Sequence, residues 1–159
     1  MIYKKNISKT IFISLILLIL CIPHIAAASS AETKYICIGT DFETPVHIIK
    51  TETRKPVVMI IAGTHGNEPA GIAAVNYLKD SLNIKKGTLL MITRANILAC
   101  KKEVRNYPKD VKLNRVYPGN KRGNGVEKIA YEIFNLMKSH DIDFLIDLHE
   151  SREFYKINS

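Results

Sequence analysis

The sequence has no internal repeat and no low-complexity tract, and only 8 of its 159 residues are glycine and 6 are proline. Collagen-like and disordered architectures are therefore excluded. A content of 47% hydrophobic and 24% charged residues is that of a globular chain and not of a coiled coil. Acidic residues are missing from the start of the chain, where none precedes Glu32. An apolar run long enough to span a membrane, about 20 residues, is missing as well. The longest covers residues 11–22 and stops at Pro23 and His24. Cysteine is limited to Cys21, Cys37 and Cys100. The last two could pair in an oxidising compartment or stay as separate buried thiols.

What is present at the start is a leader. Lys4, Lys5 and Lys9 precede the apolar run, and Ala26-Ala27-Ala28 follows the Pro23 break. A basic lead, a short apolar run and an A-x-A site predict a secretory signal peptide over residues 1–28, and hence a secreted or envelope-associated protein. The alternative is an uncleaved segment anchoring the chain at the membrane. Cys21 follows the bulky Leu20, which argues against a lipoprotein cleavage site. The formal net charge is +8; without the leader it is +5, from 20 basic and 15 acidic residues. That surplus allows contact with an anionic wall or membrane surface and does not call for nucleic acid.

Beyond a polar lead-in at residues 29–33, residues 35–38 and 46–49 read as short strands. Residues 57–62 form a continuous apolar, β-branched run, and Thr88 to Thr93 reads as the next buried strand. Both suit strands buried on two faces of a parallel sheet. Between them Pro69 offers a helix start, and Gly71, Ala74, Val75, Leu78 and Leu82 share one helical face. This strand–helix–strand unit predicts a right-handed crossover. Residues 94–124 read as a long irregular stretch, which points to function or disorder. Val126, Ile129, Ala130, Ile133, Phe134 and Met137 mark a second helix, and Phe144-Leu145-Ile146 a third buried strand. The expected fold class is α/β: three αβα layers around a largely parallel, mixed sheet.

In such sheets ligands bind beyond the carboxyl ends of the strands. After the 57–62 strand comes Gly63-Thr64-His65-Gly66-Asn67-Glu68; after 144–146 comes Asp147-Leu148-His149. His65 and Glu68, three apart in a Gly-rich turn, can point to one place, and His149 arrives from another strand end. Two imidazoles and a carboxylate are the donor set of a catalytic zinc with an open fourth position. Each part has a plainer reading: a structural histidine, a glutamate favouring a helix N-terminus, two turn glycines. A phosphate-cradling loop is excluded because the segment lacks the Lys-Ser/Thr ending. In the long loop, Asn114 and Arg115 stand side by side and can grip a carboxylate. Arg105 is suited to polarising a carbonyl and holding an oxyanion. The plain reading for Arg105, as for Lys101 and Lys102, is a solvated surface.

The blocks Gly63-Thr64-His65-Gly66-Asn67-Glu68-Pro69-Ala70-Gly71, Leu113-Asn114-Arg115 with Pro118-Gly119, and Asp147-Leu148-His149 together resemble the succinylglutamate desuccinylase/aspartoacylase family of the zinc carboxypeptidase superfamily. The resemblance runs over about residues 57–150. It implies one zinc ion per chain, held by His65, Glu68 and His149. It implies that Asn114 and Arg115 bind the substrate carboxylate and that Arg105 polarises the carbonyl. The family's general base, a glutamate on a later strand, has no match here. Glu150 and Glu153 are close in sequence but do not occupy that position, so the base is unknown. Residues 29–159 are thus expected to be the N-terminal portion of a catalytic domain, lacking its C-terminal part.

The expected function is an exported zinc-dependent hydrolase of an amide bond next to a carboxylate, in an N-acyl amino acid or a short peptide. The alternative is a truncated zinc-binding relic or a cell-surface binding module without activity. Neither involves nucleic acid, and the membrane enters only through an uncleaved leader.

Overall fold

Valine, isoleucine and leucine crowd the segments at 57–61 and 88–92, and these become the buried centre of a sheet. The computed structural model describes residues 29–151. Its strands are β1 (Ser30–Ile36), β2 (Thr44–Lys50), β3 (Val57–Ile61), β4 (Thr88–Ile92) and β5 (Phe144–Asp147). Its helices are α1 (Pro69–Ser81), α2 (Ile97–Lys101) and α3 (Gly125–Ser139), with a 3₁₀ turn at Leu113–Arg115. The leader at 1–28, Glu153 and the segment 154–159 lie outside the described residues. Among those described, no helix is long and apolar enough to cross a membrane.

The strand order is β1-β2-β4-β3-β5. β3 runs parallel to β4 and to β5, while β1 with β2 and β2 with β4 are antiparallel. Strand alternation sorts the core into two layers. Val57, Met59 and Ile61 face one way with Leu90 and Ile92, beneath Val126, Ile129, Ala130 and Ile133 of α3. Ile60 and Ala62 face the other way with Leu89 and Met91, beneath Ile72, Val75 and Leu78 of α1. The sheet is thus mixed and sandwiched between helices, as expected for αβα layering. Because α1 and α3 cross on opposite faces, the strand order reverses at β3. The crevice that such a reversal opens lies outside the carboxyl ends of β3 and its neighbours.

Several sequence expectations need correction. Residues 30–33 belong to β1 and are not a lead-in. They pair with β2 from the sheet edge, where only Ile36 reaches the core, so the strand can be polar. The strand ends at Ile36, since Cys37 takes a positive φ of 52°. On α1, Ile72 enters the core and Ala74 is exposed, while Leu82 lies past the helix end. The stretch 94–124 contains α2, whose Asn96 side chain caps the Ala99 N–H at 3.2 Å. β5 is not buried: Phe144, Leu145 and Ile146 are 62%, 46% and 44% exposed. Among the described residues it pairs on one side only, with β3, and its side chains stay largely exposed.

β5 is tied to β3 at its entry. Asp143 Oδ2 accepts the Val57 N–H at 2.7 Å, and Lys55 forms an ion pair with the same carboxylate. The Val57 N–H and Lys55 hold the Asp143 carboxyl below its usual value against the opposing effect of burial. A depressed carboxyl stabilises the fold above its unfolded pKa, and that share is lost as pH falls through the folded pKa. Asp143→Asn should therefore lower stability at neutral pH and shrink the loss of stability on acidification. Urea midpoints at pH 7 and in the acid range check this; equal pH sensitivity of the two proteins would refute it.

Candidate metal centre

The chain leaves β3 through Gly63, whose φ of 68° suits glycine and swings the next residues outward. Thr64, His65 and Glu68 then lie buried in a tight turn that ends where Pro69 starts α1. At Gly66 a Cβ would run into the backbone carbonyl of Ala99, so only glycine lets this turn lie against α2. From β5 the chain brings Asp147 and His149 to the same end of the sheet.

His65, Glu68 and His149 each offer a ligand atom, and these atoms lie within 4.8 Å of one another. The two imidazole rings are 5.3 Å apart between centroids. Glu68 is 5% exposed, yet its carboxylate is fully engaged. Oε1 accepts from Arg105 Nη1 at 2.7 Å, and Oε2 lies 2.9 Å from His149 Nδ1 and 3.2 Å from the Glu150 N–H. Burial alone would raise the Glu68 pKa, but the Glu150 N–H, His149 and Arg105 outweigh it and hold it below the usual value. Burial likewise would lower the His149 pKa, and the hydrogen bond to Glu68 with the charge and hydrogen bond of Asp147 raise it instead.

The surroundings orient both rings. His65 Nδ1 lies 3.1 Å from the Arg105 carbonyl and 3.1 Å from Asn106 Oδ1. Both are acceptors, so Nδ1 donates its proton on that side. His149 Nε2 lies 3.0 Å from Asp147 Oδ2, and Asp147 Oδ1 accepts from the Thr64 hydroxyl at 3.1 Å. Converging imidazoles and a buried carboxylate, each oriented by a further hydrogen bond, have the donor chemistry of a divalent cation site. The residues present fit such an ion.

Around this cluster lies a cleft of about 540 Å³ lined by His65, Glu68, Arg105, Asn114, His149, Glu150 and Ser151. The structure thus brings the three predicted ligands together and sets Arg105 and Asn114 beside them. Arg115 follows Asn114 on the 3₁₀ turn, is exposed, and is not among the lining residues. Glu150 sends its Oε2 to the Ala70 N–H at the start of α1, 3.0 Å away. It takes the capping place that the plain reading offered Glu68, which makes no side-chain cap of its own. Sequence reasoning gave no role to Thr64, Asn106 or Asp147. Asp147 had a signal: on a strand that alternates, it stands two residues from a ligand and faces the same way. Cys37 and Cys100 are free thiols, and burial pushes each up to about 11.

Residues 54–157 match the succinylglutamate desuccinylase/aspartoacylase catalytic domain. An N-alpha-acetyl-L-2,4-diaminobutyric acid deacetylase of Halomonas elongata is 32% identical over 108 residues, 66% of this chain and 31% of that protein. A crystal structure of an aspartoacylase family protein from Mesorhizobium loti superposes with a TM-score of 0.67 at 29% identity, over 77% of this chain and 40% of that one. A product-bound ectoine utilization protein from Ruegeria pomeroyi shares the fold, with a TM-score of 0.65 at 24% identity over 82% and 42% of the respective chains. The chain therefore spans less than half the length of these relatives.

Proposed function

Because the chain belongs to the succinylglutamate desuccinylase/aspartoacylase family, we propose that it serves a zinc-dependent hydrolase that cleaves the amide bond of an N-acyl amino acid. The observation that carries this reading is the convergence of His65, Glu68 and His149 in a cleft that also holds Arg105 and Asn114. A deacetylase activity in the Halomonas elongata relative favours a small acyl amino acid over a larger peptide. Zinc held by these three residues would supply Lewis acidity, polarising the scissile carbonyl and bringing the pKa of its water towards ~7.

The chain's own residues would do the rest. The Arg105 guanidinium is half exposed beside Glu68, from where it can donate to the oxygen on which negative charge develops. Asn114, on the cleft wall, and Arg115 next to it would anchor the substrate carboxylate. Losing a charge-assisted hydrogen bond costs about 1.5–3 kcal/mol, or roughly 10–150-fold. Asn114→Ala and Arg115→Ala should each raise KM by about tenfold or more with a smaller change in kcat. An unchanged KM in Arg115→Ala would remove that residue from the site. The basic, apolar and A-x-A segments at 1–28 support export, which cell fractionation tests.

One observation favours a second reading, zinc binding without turnover. Of the cleft's two carboxylates among the described residues, Glu68 belongs to the metal cluster and Glu150 is bonded to the α1 N-terminus. Neither stands ready as a general base, a role worth about 10²–10⁴-fold. The full chain, loaded with zinc, should be assayed against N-acetyl and N-succinyl amino acids with and without a chelator. Chelator-sensitive hydrolysis supports the enzyme. One-to-one zinc binding without turnover supports the binding module, and no zinc binding sinks both.

A further inference from the structure

We propose that a second cleft, beside the metal turn, binds a free α-amino acid as its zwitterion. This cleft encloses about 490 Å³ and shares no lining residue with the metal cleft. The turn after β3 serves both. His65 and Glu68 line the metal cleft, while Gly66 and Asn67 line the second one. Arg94, just past β4, and Glu103, just past α2, supply its charges, and Pro69 and Ile72 of α1 supply an apolar wall.

The polar side chains of this cleft are unengaged. Arg94 and Glu103 are exposed, and among the described residues neither side chain forms an ion pair or a hydrogen bond. Opposite charges that share a cleft without neutralising each other suit a ligand that carries both. Asn67 Oδ1 is buried without a hydrogen-bond partner, which is rare for a buried acceptor in a folded protein. Glu103 is held at a φ of 53°, a left-handed conformation that side chains other than glycine seldom adopt. Its own N–H, bonded to the Cys100 carbonyl at 3.2 Å, and the Val104 N–H, bonded to that of Ala99 at 3.1 Å, fix it there. The Cys100 thiol adds no charge. Burial pushes it up to about 11, and it donates to the Gly63 carbonyl at 3.4 Å.

Each group of an amino acid has a counterpart here. The planar fork of Arg94 grips the carboxylate by parallel hydrogen bonds. The Glu103 carboxylate accepts from the ammonium, and a turn about the soft terminal torsion of Asn67 brings Oδ1 to another of its N–H groups. An aliphatic side chain meets Pro69 and Ile72. The volume is that of an ordinary small-molecule pocket. An N-acyl amino acid keeps the carboxylate but has no ammonium. The cleft therefore takes the kind of amine that hydrolysis in the metal cleft would release, and not its substrate. No residue of the metal cluster lines it, so the proposal stands apart from the zinc reading.

The test uses the full chain without zinc. ¹H–¹⁵N spectra recorded during titration with L-leucine should show saturable shifts at Gly66, Asn67, Arg94 and Glu103. N-acetyl-L-leucine lacks the ammonium and 3-methylbutylamine lacks the carboxylate. Losing a charge-assisted hydrogen bond weakens binding roughly 10–150-fold, and exposure puts both charges at the low end of that range. Both analogues should therefore bind about tenfold more weakly than leucine, and so should leucine to Arg94→Gln and to Glu103→Gln. Urea midpoints of the two variants should match the wild type, which separates lost binding from lost fold. Absence of saturable shifts, shifts confined to Asn114 and Arg115, or equal affinity for leucine and its N-acetyl form would each overturn the proposal. Unchanged leucine affinity in either charge variant would overturn it as well. A chain that binds leucine in this way but no zinc would sink the hydrolase reading and leave this one standing.

Discussion

Glu68→Ala should weaken zinc binding at least a hundredfold and abolish any hydrolysis. The loss exceeds the 10–100-fold expected of an outer partner because Glu68 is itself one of three ligands. It also reaches beyond the metal. The Glu68 carboxylate touches Arg105, His149 and the Glu150 N–H together. Without it, two groups that carry or take up positive charge and one backbone donor lose their acceptor. Arg105 is half exposed and His149 partly so, so water replaces much of what is lost. A destabilisation of about 1–3 kcal/mol is expected for the metal-free chain. Competition titration and urea unfolding measure the two effects separately. Zinc affinity within threefold of the wild type would show that the cluster is not the metal site.

Gly66→Ala should destabilise the fold by about 3 kcal/mol or more, at the upper end of what overpacking costs. A Cβ at this position meets the Ala99 carbonyl, the carbonyl carbon and the Cys100 nitrogen, all backbone atoms that no rotamer change can move aside. The same carbonyl accepts the Val104 N–H, and Gly66 donates its own N–H to Arg105 O, so α2 and the turn cannot separate freely. His65 precedes Gly66 and would be displaced with it, so zinc affinity should fall as well. Gly39→Ala is the control. That position is open, with nothing within 4 Å, and carries only the left-handed φ of 75°. It should cost about 1–2 kcal/mol and leave zinc binding intact. Equal destabilisation by the two alanines would refute the argument from close contact.

The sequence made the centre of the fold legible because two signals coincide there. β3 and β4 are unbroken apolar runs, and the polar residues that follow β3 and β5 stand where a strand reversal places a ligand. His65, Glu68 and His149 could be grouped for that reason alone. What was not legible depends on neighbours that sequence does not specify. Phe144-Leu145-Ile146 has the composition of a buried strand, but composition does not say whether anything covers it. Residues 30–33 are polar, and only pairing with β2 makes them a strand. Arg105 was read as a carbonyl-polarising or surface residue. Its backbone carbonyl and its guanidinium in fact embrace the cluster, on His65 and Glu68 respectively. Backbone carbonyls carry no residue identity, so no motif reveals that role.

The hydrogen bond between Glu68 and His149 joins residues 81 positions apart. An ion shared by the same pair would act as a cross-link that closes the segment from α1 to β5. By chain-entropy reasoning, a closed loop of that length withdraws about 4.5 kcal/mol of freedom from the unfolded state, much as a disulfide does. The thiols of Cys37 and Cys100, half-buried and free, supply no such bond. Metal occupancy and folding would then be one equilibrium, with zinc concentration setting how tightly the chain is stapled.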